Sequence, residues 1–224
     1  MNIVHGVAPE RVLELRQSVE SKEVYLAFKR LFDLSFSLLL IILFLPLMAV
    51  VCIIIKLASP GPAVFKQIRV GLFGEEFIMY KFRTMYVGDH NALENFVSED
   101  QLKQCMYKKA ENDPRITPFG RYLRKTSIDE LPQLFNILIG DMSLIGPRPM
   151  VQFYFSSYPM EKEMRSVVKP GLTGYWQIIN RGNTTTILDM IDYDMEYIDN
   201  LSLYLDLKIL LLTIPTVLKC EGAV

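Results

Sequence analysis

The chain has 224 residues, half of them apolar and 22% charged, with a formal net charge of −1. That length holds one domain with a sizeable core, or one domain plus membrane elements. The balanced charge implies no strongly basic face, so no nucleic acid is expected as a partner.

Residues 1–28 carry charges of both signs, and Pro9 opens a predicted short helix, ERVLELRQSVESKE. The segment is too long and too acidic for the n-region of a signal peptide, so no cleavage is expected. Residues 34–55, LSFSLLLIILFLPLMAVVCIII, contain no charge. By length alone the run would cross a bilayer as a single helix. Pro46 lies near its middle, leaving two arms of roughly 10–12 residues that each reach only ~15–18 Å, about one leaflet. Both flanks are basic, with Lys29 and Arg30 before and Lys56, Lys66 and Arg69 after. Charge therefore sets no orientation and permits both ends on one side. A proline-kinked span and a re-entrant helix–break–helix hairpin both satisfy these facts.

Next, VFKQIRVGLFGEEFIMYKFRTM carries two β-branched and aromatic runs around a turn at Gly71 and Gly74, which predicts a β-hairpin. Lys81 and Arg83 alternate with apolar residues at its end. They read either as solvated strand-face charges or as a phosphate-facing edge. Residues 89–110 have mixed charge and weak periodicity, which suits a surface helix, an insert or a lid. Asp113, Pro114 and the stretch from 117 to 120 read as turns.

Residues 121–150, RYLRKTSIDELPQLFNILIGDMSLIGPRPM, place the adjacent carboxylates Asp129 and Glu130 among Arg121, Arg124, Lys125 and Arg148. Acids in a basic neighbourhood suit a site where a carboxylate meets phosphate oxygens and a divalent cation. Ser127 and Glu130 also match the S-x-x-E capping box, in which Glu130 only ties up a helix start. Pro132 opposes that register, because it would fall at the fifth helical position, where its missing N–H removes a real bond. A start at Asp129 puts Pro132 third and Asp129 at the positive end of a helix, a good place for a cap and for an anionic nucleophile alike.

Further on, KPGLTGYW carries Gly171 and Gly174, which permit close backbone approach to a ligand or a tight turn. Arg181 sits in NRGN, as a solvated loop residue or an anion cap. The last apolar segment, residues 209–218, is too short to span and contains Pro215. It suits a core helix or the membrane interface. Cys52, Cys105 and Cys220 lie far apart and read as free thiols. His5 and His90 lack metal-ligand spacing, so no histidine base is expected.

Several of these stretches together resemble the monotopic phosphoglycosyl transferases, a bacterial sugar-transferase family that starts glycoconjugate assembly on a polyprenyl phosphate. In order, they are the apolar run with its central proline, SPGPAVFKQIRVG, YKFRTM, DPRITPFGRYLRKTSIDELPQLFNILIGDMSLIGPRP, KPGLTGYWQIINRGN and DLKIL. The resemblance covers roughly residues 29–219. It implies an α+β, mostly helical, membrane-associated monotopic domain with a re-entrant hairpin and a small β-sheet. The implied divisions are an N-terminal helical segment (1–28), a membrane hairpin (29–58) and a cytosolic-face catalytic domain with C-terminal interfacial helices (59–224).

The implied reaction moves a sugar-1-phosphate from a UDP-sugar to a polyprenyl phosphate such as undecaprenyl phosphate, with UMP leaving. Asp129 matches the family's nucleophile, which carries a covalent phosphosugar, and Glu130 the partner acid. Both are implied contacts of Mg²⁺. Lys81, Arg83, Arg124, Arg148 and Arg181 match the phosphate- and nucleotide-binding cations. Asp141, Asp194 and Asp206 fall in matching motifs without an assigned role. The implied location is the cytoplasmic face of a bacterial inner membrane, in contact with lipid, at the start of exopolysaccharide or lipopolysaccharide synthesis. Larger members carry transmembrane helices and a further domain ahead of this core, so the chain reads as the minimal catalytic unit. The sequence leaves open whether it pairs as a homodimer and which sugar it takes. A Mg²⁺-dependent hydrolase of nucleoside diphosphate sugars and a non-catalytic membrane scaffold are the competing readings.

Overall fold

The structure is a computed structural model that describes residues 9–87, 113, 115–156, 158–179 and 186–218. The segment 89–110, expected as an insert or lid, and Arg181 lie outside the described residues.

Helix α1 (Pro9–Glu20) opens on its proline, where the missing N–H costs nothing. It buries Val12, Leu15 and Val19, one stripe at helical spacing. Helix α2 (Glu23–Ala58) then runs for 36 residues with Pro46 in its interior. The family resemblance implied two arms separated by a break, while the residues alone allowed a proline-kinked helix equally. The chain stays helical on both sides of the proline, which removes the bond to the carbonyl four residues back and sets the ring against that carbonyl. Both arms pack on the same domain through one narrow stripe. Ile41 joins the main core, while Met48, Val51 and Ile55 form a second cluster with Ala63, Phe82 and Leu123. The other faces are apolar and exposed, as at Leu39, Ile42, Leu43 and Ile53. Glu23–Ala58 is long and apolar enough to cross a membrane, with only 22% of its most apolar window buried. A helix apolar all round yet mostly uncovered suits lipid contact and not a soluble core.

Polar groups in α2 fix it to the domain. Asp33 accepts a hydrogen bond from the Leu144 N–H at 3.0 Å. Arg30 donates to the carbonyls of Ile137 and Leu138 at 2.7 and 3.0 Å. Those are orphan carbonyls at the end of a later helix, so a cation there is doubly favoured.

Strands β1 (Val64–Val70) and β2 (Glu76–Phe82) form the predicted antiparallel hairpin, with Gln67 opposite Met79 and Phe65 opposite Lys81. The turn holds Phe73 at φ 56° and Gly74 at φ 80°. Helix α3 (Pro118–Lys125) follows where a turn was expected: Thr117 accepts from the Gly120 N–H at 2.9 Å and Pro118 takes the first helical position. That is an ordinary helix start. After a single turn of 3₁₀ helix (Ile128–Glu130) comes α4 (Gln133–Ile139), ended by Gly140 at φ 105°.

Strand β3 (Ser143–Ile145) pairs in parallel with β4 (Gly171–Thr173). A Cβ on Gly171 would sit 2.1 Å from the Gly146 nitrogen, and one on Gly174 would sit 2.3 Å from the Gly146 oxygen. The two glycines thus serve a backbone-to-backbone contact within the protein, between KPGLTG and IGPRP. A 3₁₀ turn (Gln152–Phe155) and helices α5 (Pro159–Arg165), α6 (Tyr175–Ile179), α7 (Ile187–Asp199) and α8 (Leu203–Leu218) complete the domain. Helix α7 begins with a reciprocal capping box between Thr186 and Asp189. Helix α8 buries Ile209 but exposes Leu207, Leu211, Leu212 and Ile214. The main core draws on α1, α4, β3 and α7. The fold is therefore α+β and mostly helical, with a long apolar helix along one side.

Candidate active site

Alternation along the hairpin builds one wall of the site. Residues two apart on a strand share a face, and the register puts Gln67 and Arg69 on the same side as Met79 and Lys81. These four line a pocket with Glu130, Gln133, Arg148, Pro149, Val151 and Tyr154. Its volume, open to solvent, is about 490 Å³.

Glu130 is the charge centre of that pocket. One of its oxygens accepts from Lys81 Nζ at 2.9 Å and from Arg148 Nη2 at 3.1 Å. Burial alone would push its pKa up, but the adjacent Lys81 and Arg148 charges hold it well below the usual carboxylate range. The capping box is not formed. Ser127 stands in the left-handed region at φ 57° without a side-chain cap, and α4 starts from Pro132, again without one. The proline forces this: the chain turns once as a 3₁₀ helix and restarts, so neither acid is needed to cap a helix.

Asp129 is 9% exposed and accepts no hydrogen bond from any described residue. Burial, and next to it the Glu130 charge, push its carboxyl up to about 6, against the pull of Lys81, Arg124 and Arg148. Arg124 donates from Nε to the Thr84 hydroxyl at 2.9 Å, and burial lowers its pKa against the attraction of Asp129. The two adjacent acids are thus in different states of engagement: Glu130 is held by two cations, while no described residue donates a hydrogen bond to Asp129. Two adjacent acids in such different surroundings mark a functional-site candidate.

Of the other predicted cations, Lys81 and Arg148 reach the pair directly. Arg83 does not. It is buried, and its guanidinium donates to the carbonyls of Pro60, Ser59 (2.7 Å) and Ile55 (3.4 Å), closing the C-terminus of α2. The strand ends at Phe82, so the alternation that would align Arg83 with Lys81 stops one residue too early. We expect Arg83→Gln to lower thermal stability by about 1–3 kcal/mol, through orphaned carbonyls. Its KM for donor should stay within about twofold of wild type, a limit well under the effect of one lost ligand hydrogen bond.

Arg69, Gln67, Gln133 and Tyr154 line the pocket but were not singled out from sequence. The first two were readable in principle from the hairpin register, which places them on the face of Lys81. The unassigned acids have partners in the fold. Asp206 accepts from Lys29, Tyr25 and Tyr197, Asp141 from Asn136, and Asp194 from Arg165.

Among the described residues, no three His, Cys, Asp or Glu side chains converge as a metal cage. Mg²⁺ commonly takes only one or two carboxylates, with substrate phosphates and water filling the rest. Asp129 and the second oxygen of Glu130, unbonded by described residues, fit that pattern.

The family model described as "Bacterial sugar transferase" matches residues 24–220. The chain is 45% identical over 163 residues to "Galactosyl transferase CpsE" of Streptococcus agalactiae, covering 73% of this chain and 36% of that protein. It is 39% identical over 220 residues to "UDP-glucose:undecaprenyl-phosphate glucose-1-phosphate transferase" of Xanthomonas campestris pv. campestris, covering 95% and 43%. With "Uncharacterized sugar transferase EpsL" of Bacillus subtilis it shares 40% identity over 194 residues, covering 87% and 89%. The chain thus spans less than half the length of the first two relatives and nearly all of the third. A match over all the elements that carry the acid pair and its cations decides the matter: the chain belongs to the bacterial sugar transferase family.

Proposed function

We propose that the protein transfers a sugar-1-phosphate from a UDP-sugar to a polyprenyl phosphate, undecaprenyl phosphate in bacteria. The observation that carries this reading is the unequal acid pair, one carboxylate clamped by Lys81 and Arg148 and its neighbour without a hydrogen-bond donor among the described residues. In the first step an Asp129 oxygen attacks the phosphorus that bears the sugar, and the bond to the bridging oxygen breaks, so UMP leaves with that electron pair. In the second, a lipid phosphate oxygen attacks the same phosphorus and displaces Asp129, giving polyprenyl-diphosphate-sugar and the free carboxylate. A carboxylate needs no base to activate it, and two displacements at one nucleophile give ping-pong kinetics.

Lys81, Arg148 and Arg124 offset the negative charge that would otherwise repel an anionic nucleophile from a diphosphate. Mg²⁺, held by Asp129 and Glu130, would supply further neutralisation of the donor's phosphates. The long apolar helix suits an acceptor dissolved in the bilayer, entering beside a domain at the cytoplasmic face. The relatives' names include both galactosyl and glucose transferases, so the sugar is left to experiment.

The test is intact-protein mass spectrometry in detergent with Mg²⁺ and a panel of UDP-sugars, without lipid acceptor. A phosphosugar adduct on Asp129 that vanishes when undecaprenyl phosphate is added is expected. Steady UMP release with water as acceptor, and no adduct, would favour a hydrolase. Removal of divalent metal by EDTA is expected to abolish UMP release, with recovery on adding Mg²⁺.

A further inference from the structure

Gln133 opens α4, three residues beyond Glu130, and lines the same pocket as Lys81 and Arg148. It is 2% exposed, and its amide nitrogen is buried without a hydrogen-bond partner among the described residues. Buried polar atoms are ordinarily paired, and an orphan in a native fold calls for an explanation. Packing does not provide one, since an apolar side chain of similar size would fill the place without an orphaned amide. The explanation that suits this wall is a ligand acceptor.

We propose that the Gln133 amide donates a hydrogen bond to a non-bridging phosphate oxygen of the nucleotide-sugar donor. The proposal rests on the transferase reading above and deepens it. Lys81 and Arg148 already attract phosphate to this wall but are shared with Glu130. A neutral N–H₂ adds a donor there without adding charge that would compete for that acid. The broad terminal torsion of glutamine lets the amide turn toward an arriving oxygen. The next turn of α4 is immobilised, because Asn136 accepts from the Tyr80 N–H at 3.0 Å and donates to the Ile78 carbonyl at 2.7 Å. Gln133 is therefore presented from a rigid helix against the same strand that carries Lys81.

Wild type, Gln133→Leu and Gln133→Glu decide it, with UMP release, UDP titration by calorimetry and thermal unfolding as readouts. Gln133→Leu is expected to lose about 10- to 100-fold in kcat/KM and to bind UDP correspondingly more weakly, the span of hydrogen bonds to charged groups. Its unfolding temperature should be equal or higher, because the orphan is gone. Gln133→Glu should lose more than the leucine variant, since a carboxylate cannot donate to phosphate and repels it. Wild-type UDP affinity in Gln133→Leu, or in Gln133→Glu, overturns the proposal, as does a loss confined to unfolding temperature. If wild type releases no UMP from any UDP-sugar, the transferase reading fails. UDP titration still decides the role of Gln133 in that event.

Discussion

Asp129→Asn is expected to lower UMP release by about 10³-fold or more, ~4 kcal/mol of barrier, while the fold becomes no less stable. The activity loss follows from chemistry: an amide oxygen at the same place is a poor nucleophile at phosphorus and carries no charge for a metal to share. The stability follows from electrostatics. Burial and the neighbouring Glu130 hold the Asp129 carboxyl up to about 6, above its unfolded value near 3.9. A carboxyl raised in this way costs nothing below its unfolded pKa. Its penalty grows as pH rises from the unfolded value through the folded one and is present in full above it. Asparagine carries no such penalty. In metal-free buffer at pH 7.5 the variant should therefore unfold at or above the wild-type temperature, with the gap narrowing toward pH 4. Lower stability together with retained UMP release would return Asp129 to a structural role.

This result would separate two readings that the sequence could not. In the motif SIDELPQ, Ser127 and Glu130 stand at capping-box spacing, and spacing alone cannot say whether the box closes. The structure resolves it through Pro132, which interrupts the register and leaves Ser127 in the left-handed region. The hairpin and the first helix were legible because periodicity and turn residues act locally, while the mostly helical α+β class was implied by the family resemblance. Arg83 was harder to place for a physical reason: strand alternation predicts a face only while the strand lasts, and past its end this cation meets the buried carbonyls that close α2. Gln133 and Arg69 were missed because a pocket wall depends on what lies opposite, a long-range matter. Gly171 and Gly174 signalled close approach correctly, but the approaching group is the backbone of Gly146. Pro46 marked a disturbance within a helix that continues on both sides of it.

That glycine contact leads to the second large effect, because the segment it fixes carries Arg148. The Gly146 N–H donates to Thr173 at 2.9 Å, and the Gly171 N–H donates to Pro147 at 2.8 Å. One residue on, the Arg148 carbonyl accepts from Arg165 Nη2 at 2.9 Å. Arg165 is 4% exposed and Asp194 2%, and one Asp194 oxygen takes Arg165 Nη2 at 2.6 Å and Nε at 3.0 Å. The guanidinium also lies over the Phe155 ring, 5.3 Å from its centroid. Asp194 on α7 thus holds Arg165 on α5, which in turn holds the backbone whose side chain clamps Glu130. Asp194→Ala should destabilise the protein by about 3–5 kcal/mol, because it leaves a buried guanidinium without its counter-charge. Asp194→Asn keeps an acceptor of the same shape and should lose less, so it is the variant for kinetics. Well below its unfolding temperature, Asp194→Asn is expected to raise KM for the UDP-sugar about three- to tenfold, consistent with a weakened charged contact of ~1 kcal/mol. Denaturant titration in detergent measures the first effect and initial rates the second. If Asp194→Asn is destabilised but keeps wild-type KM, the relay supports the fold alone, and Arg148 finds Glu130 without it.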